Sequence, residues 1–141
     1  PLGLECEYKN LSRSDRKGLQ ELAILRKELG GIPAKSGPDD GTLAMLQIGK
    51  NKYYGVNAHG QQIALKPSNV WIARSSVHHA EGDVFNQALK DGASNNYARL
   101  FVDKELCRNC DSIAGVKDFA RQVGVKRLDI ITPKGIRRFS L

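Results

Sequence analysis

The chain has 141 residues, of which 40% are hydrophobic and 26% charged; these are the size and balance of one globular domain, and no stretch approaches the roughly 18 apolar residues of a membrane span. Lysine and arginine outnumber aspartate and glutamate by 22 to 15, which favours polyanionic partners or phosphorylated substrates, although a solvated basic surface accounts for the same numbers. Three cysteines, two of them in one C-x-x-C, argue against a disulfide framework and for a metal or redox site, and leave Cys6 over as a silent thiol.

Pro1, Leu2 and Gly3 are expected to be a protease-site remnant, with residues 4–141 forming a single domain. No basic segment followed by an apolar run marks a signal peptide at the N-terminus. Ser12 or Ser14 caps a helix whose core-facing positions Leu19, Leu22, Ala23, Arg26 (through its stem) and Leu29 repeat at helical spacing, and Gly30 and Gly31 stop it. Residues 30–41, dense in Gly and Pro, form a loop. Strands over 43–48 and 53–56 make a hairpin turning near Lys50 and Asn51. Residues 58–77 resist assignment: 63–65 extend a strand, 66–69 turn, and the segment is held as a loop close to the site, with Trp71 inside it.

From His79 a helix runs to about Lys90 on the stripe Val84, Phe85, Ala88 and Leu89, and Asp91 and Gly92 end it. A strand over 97–102 follows. A second stripe, Ile113, Val116, Phe119, Ala120 and Val123, marks a helix closed by Gly124, and strands over 128–131 and 136–139 end the chain. The turn between those two is too short for anything but antiparallel pairing. The expected order is helix, two strands, helix, strand, helix, two strands, which makes an α/β domain with a five-stranded mixed sheet.

Two motifs carry the chemistry: His79-Ala80-Glu81, and Cys107-Arg108-Asn109-Cys110. A helix of about 13 residues from His79 is roughly 20 Å long, and so is the six-residue strand that returns beside it, so Cys107 comes back to the level of His79. Two cysteines three apart on a first helical turn share a face and can pinch one zinc ion, with His79 as third ligand and a fourth position open to water. Helix N-termini favour the thiolates. Glu81, about 200° round the helix from His79, is not a ligand on the same face but can reach over the helix end as a general acid/base. A redox pair would leave His79 and Glu81 unexplained, whereas a closed structural zinc site would need His78 or His59 as a fourth ligand.

With HAEGDVFNQALKDG at 79–92 and CRNC at 107–110, the chain from about Leu43 onward resembles the zinc-dependent cytidine deaminase superfamily, and within it the deaminase domains of bacterial polymorphic toxins. The resemblance implies a three-layer cytidine-deaminase-like fold, one Zn²⁺ held by His79, Cys107 and Cys110, and Glu81 as catalytic proton shuttle. It makes Asn57, in Gly55-Val56-Asn57, the residue for the substrate ribose. His78 and Trp71 are further substrate-binding candidates near the pocket. Leu106 stands where the family usually has Pro before the first cysteine, which points to a divergent, toxin-like branch. The last-two-strands hairpin matches the superfamily branch without a helix between those strands.

The implied function is hydrolytic deamination of cytosine to uracil in nucleic acid, foremost single-stranded DNA, since an unpaired base needs no flipping. Basic residues such as Lys50, Lys52, Arg74, Lys126, Arg127, Arg137 and Arg138, with Trp71, Tyr53 and Tyr54 as stacking surfaces, would serve it. Duplex DNA, RNA and free cytidine nucleotides are the alternative substrates, and a non-catalytic zinc-stabilised binding module is the alternative class. A toxin domain of this kind is expected to be a monomer without membrane contact, delivered into the cytoplasm of a recipient cell and opposed there by a cognate immunity protein.

Overall fold

A computed structural model of the chain describes residues 8–33, 37–57, 66–74, 80–104 and 113–141. Among them are three helices, α1 (Arg13–Glu28), α2 (Ala80–Lys90) and α3 (Ile113–Gln122). The strands are β1 (Thr42–Ile48), β2 (Asn51–Asn57), β3 (Ile72–Arg74), β4 (Tyr97–Val102), β5 (Arg127–Thr132) and β6 (Gly135–Ser140). They form one mixed sheet in the order β3-β2-β1-β4-β5-β6.

The sheet therefore has six strands where five were expected. The added strand is β3, three residues inside the segment taken as a loop, and it pairs parallel with Tyr54, Gly55 and Val56 of β2. Three residues carry too little alternation to announce a strand, and parallel pairing with a strand some 18 positions earlier leaves no local signal. The rest of the expected order holds, including antiparallel pairing of the last two strands. The proposed strand at 63–65 lies outside the described residues.

Local chemistry explains the boundaries. Ser12 caps α1 in a reciprocal box: its hydroxyl accepts from the Asp15 amide at 3.1 Å, and the Asp15 carboxylate accepts from the Ser12 amide at 2.8 Å. At the other end Gly31 donates to Arg26 O and Gly30 to Lys27 O, the pattern that needs a left-handed residue just past the helix, and Gly30 has φ +81°. The same bonds close α2 at Gly92 and α3 at Gly124.

Alternation along the strands divides the core in two. On one face Leu43, Met45, Val56, Phe101, Ile131 and Ile136 pack under Leu22, Leu25 and Leu29 of α1. On the other, Ala44, Leu46, Ile48, Ala98, Leu100, Leu128 and Ile130 pack against Ala80, Val84, Phe85 and Ala88 of α2 and Val116 and Ala120 of α3. The result is three layers, with one helix below the sheet and two above. Gly18 sets α1 close to the sheet, because a Cβ there would run into the Phe101 ring.

Candidate active site

Strand directions place the site. β1 is antiparallel to both β2 and β4, while β2 pairs parallel with β3 and β4 with β5. Four strands, β2 to β5 without β1's company, thus end at one edge of the sheet. α2 follows β3 and α3 follows β4, so both helices begin at that edge, where ligands of α/β folds gather. The N-terminal ends of helices favour negative charge, and two of them begin here.

Glu81 is the second residue of α2 and only 8% exposed; Asp83, two further on, is 5% exposed. Two acidic residues in a first turn complement the helix dipole. Asn57 ends β2 and is 7% exposed. Cross-strand pairing puts Gly55 and Asn57 on the α2 side of the sheet, since their partners Ala44 and Thr42 lie there. Gly55 lets the helix start close on β2: an added Cβ would stand 2.8 Å from Ala80 O, 3.2 Å from Val84 Cγ1 and 3.4 Å from Asp83 Cβ. Glu81 is therefore carried by a helical turn seated directly on the last residues of β2, two positions before Asn57.

His78, His79, Cys107 and Cys110 lie outside the described residues, as does His59. The chain on either side of them is described. His79 immediately precedes α2, and Cys107 and Cys110 fall between the end of β4 at Val102 and the start of α3 at Ile113. Among the described residues no group of three His, Cys, Asp or Glu is arranged to hold a metal.

Trp71 stands apart from this end. It precedes β3, level with Tyr53 rather than Asn57, and it is 73% exposed. The structure thus brings Glu81 and Asn57 to one edge and leaves Trp71 toward the other.

Comparison with known protein families matches residues 19–139 to the MafB19-like deaminases. The chain belongs to the MafB19-like deaminase family. Neither a curated protein nor a solved structure matches it. Membership makes this a deaminase domain of the cytidine-deaminase-like toxin kind, and the match runs from Leu19 in α1 through both motifs to Phe139 in β6.

Two features of this MafB19-like deaminase domain escaped the sequence. Arg26, counted as a core-facing stem, carries a guanidinium only 14% exposed that binds Asp39 at 2.7 Å and Asp103 at 2.7 Å and 2.9 Å, and also donates to the carbonyls of Asp39 and Gly41. Asp103 in turn accepts from the Leu43 amide at 2.9 Å. Burial works against the Arg26 charge, but Asp103 and Asp39 outweigh it and hold its pKa above the ordinary arginine value. This cluster ties α1, the 37–41 loop and the exit of β4 together, four residues before Cys107. The second missed feature is buried Asp83, for which the only signal was its place two residues after Glu81.

Proposed function

We propose that the chain hydrolytically deaminates cytosine to uracil in single-stranded DNA, using one zinc ion, as the toxic domain of a bacterial effector acting in a recipient cell. The observation that carries this reading is Glu81, buried in the first turn of α2 at the carboxyl edge of the sheet, within a chain of the MafB19-like deaminase family.

The donor set suits zinc. An imidazole and two thiols, His79, Cys107 and Cys110, are a borderline-soft set of three that leaves one position of a tetrahedron for solvent. His79 immediately precedes α2, Cys107 and Cys110 precede the start of α3 by six and three residues, and both helices begin at one edge. When bound, zinc would lower the pKa of its water toward about 7.

In the reaction, the water oxygen bonds to C4 of the ring and the C4–N4 bond breaks, releasing ammonia. Glu81 takes the water proton, gives it to N3, and then carries a second proton to the departing amine. Its place on a helical turn locked against β2 through Gly55 keeps this carboxylate at one height above the strand ends. Asn57, fixed at the end of β2, is the group to hold the sugar of the same nucleotide.

An excess of seven positive charges favours a polyanion over a free nucleoside, and an unpaired strand offers its base without the energy of unstacking. The domain acts as a monomer, and a cognate immunity protein shields the producing cell. The deciding experiment treats single-stranded DNA, duplex DNA, RNA and free cytidine with the zinc-loaded chain and measures mass, where each deaminated cytosine gains about one dalton. Turnover fastest on single-stranded DNA supports the proposal; turnover of free cytidine alone, or of none of the four, overturns it.

A further inference from the structure

β3 covers only Tyr54, Gly55 and Val56 of β2, so among the described residues the preceding stretch, from Asn51 to Tyr53, is the open border of the sheet. A groove of about 510 Å³ opens at this notch, lined by Trp71, Tyr53, Tyr54, Lys52, Lys90 and the acidic Asp91, with Val70 and Gln87, a volume in the range of small-ligand sites. The Tyr53 ring and the backbone beside it are held in place. Tyr53 donates its hydroxyl to Asp91 at 2.6 Å, and Gln87 of α2 donates to the Tyr54 carbonyl at 2.9 Å. Trp71, the one tryptophan of the chain, is 73% exposed beside them.

So large an apolar ring left in water, next to two tyrosines, is the mark of a surface that meets something flat. Two lysines flank it from opposite sides of the sheet. Lys90 ends α2 above, and Lys52 reaches the α1 side below, where its ammonium lies 3.2 Å from Glu21. That pair is exposed on both sides and weakly held, so Lys52 can turn to a phosphate. Trp71 and Tyr53 beside Lys90, with Lys52 at the sheet border and Asp91 engaged by the Tyr53 hydroxyl, on a chain of net charge +7, suit single-stranded nucleic acid, whose bases stack while its phosphates pair.

We propose that this notch is a base-stacking site for the strand flanking the reacting cytosine, separate from the Glu81 end of α2; the flanking role rests on the function proposed above. The groove sits at the C-terminal end of α2, nine residues or about 14 Å from Glu81. At 3.4 Å per stacked nucleotide this is about four nucleotides, and fewer for an extended strand. The strand is thus gripped a few nucleotides away from the base that reacts.

Trp71 reports on its own site. A thymidine oligomer of about twelve nucleotides contains no cytosine and cannot be turned over, so binding is read without catalysis. Titrating it into the full chain quenches tryptophan emission saturably and less tightly as salt rises, while an abasic strand of equal length quenches little. Trp71→Ala weakens binding of the thymidine oligomer, followed by anisotropy, about 5- to 150-fold, and Trp71→Phe restores most of it. Anisotropy showing tight binding with unchanged emission, or a Trp71→Ala chain of unaltered circular dichroism that binds as wild type does, overturns the proposal. So does an oligomer that fails to bind at all. Quenching by a chain that deaminates nothing retains the groove and removes the enzymatic reading, whereas deamination without quenching does the reverse.

Discussion

Replacing Gly55 with alanine would test whether the helix that carries Glu81 is seated on β2. The new methyl carbon would stand 2.8 Å from Ala80 O, a contact that real Cβ atoms essentially never make, with Val84 Cγ1 at 3.2 Å behind it. The obstacle is backbone, so α2 has to lift by a few tenths of an ångström to restore ordinary contact. Overpacking of this kind costs about 1–3 kcal/mol, and at about 3–5 °C per kcal/mol for a domain of this length the melting midpoint falls by about 3–15 °C. Because Glu81 adjoins Ala80, the lift also displaces the proposed proton carrier; a misplacement of about 1 Å costs on the order of 100-fold in turnover, so a lift of a few tenths should lower it by a smaller factor. The assay pairs thermal unfolding by circular dichroism with the mass-shift measurement of deamination. Gly115→Ala supplies the contrast: nothing lies within 4 Å of its added Cβ, it sits within α3, and it should stabilise by about 0.5–1 kcal/mol. A Gly55→Ala chain as stable and active as wild type would refute the seating of α2 on β2.

Other substitutions probe the supports around that seat. Arg26→Ala leaves Asp103 and Asp39 without their shared cation and should cost about 2–4 kcal/mol in urea unfolding, an effect that an unchanged midpoint would contradict. Burial raises the Asp15 pKa, but the Ser12 amide and hydroxyl and the Arg99 guanidinium, 2.6 Å away, prevail and hold it below its usual value of 3.8. The stability it adds is complete above the unfolded-state value and is lost as pH falls through the lower folded-state value. Asp15→Asn should therefore destabilise by about 1–3 kcal/mol at neutral pH and flatten the acid limb of the stability curve below pH ~4. Tyr53 and Tyr97 are pushed up to about 12, first by burial and then by hydroxyl bonds to Asp91 and Asp129. Their contribution is whole below pH ~10 and disappears as pH rises toward ~12. A tyrosinate absorbance titration should show a late phase that loses one tyrosine in Tyr53→Phe and one in Tyr97→Phe.

Elements with strong local codes were legible in the sequence. The Ser12 cap, the Gly30, Gly92 and Gly124 stops and the alternation of β4 each act within a few residues, and the expected and observed bounds of β4 coincide. β3 was not legible, because a three-residue strand exists only through its pairing with β2. Arg26 shows the same divide. Its helical position was correct, but its partner Asp103 is 77 residues away, a separation at which periodicity carries no information. In the site, helix and strand lengths predicted the return of Cys107 to the level of His79, and both lie outside the described residues; Glu81 and Asn57 stand at the same edge of the sheet. Trp71, expected inside a loop close to the site, lies just before β3, level with Tyr53. The two motifs were legible as a pattern of residue types, H-x-E followed downstream by C-x-x-C.

The central claim is that Glu81 moves protons at a zinc site it does not help to hold. The direct measurement is zinc content and deamination rate of Glu81→Ala beside wild type on one cytosine-containing single strand. One zinc per chain in both proteins, with turnover in the variant lower by at least about 100- to 10,000-fold, is the predicted result. Retained turnover, or zinc lost together with Glu81, would contradict it.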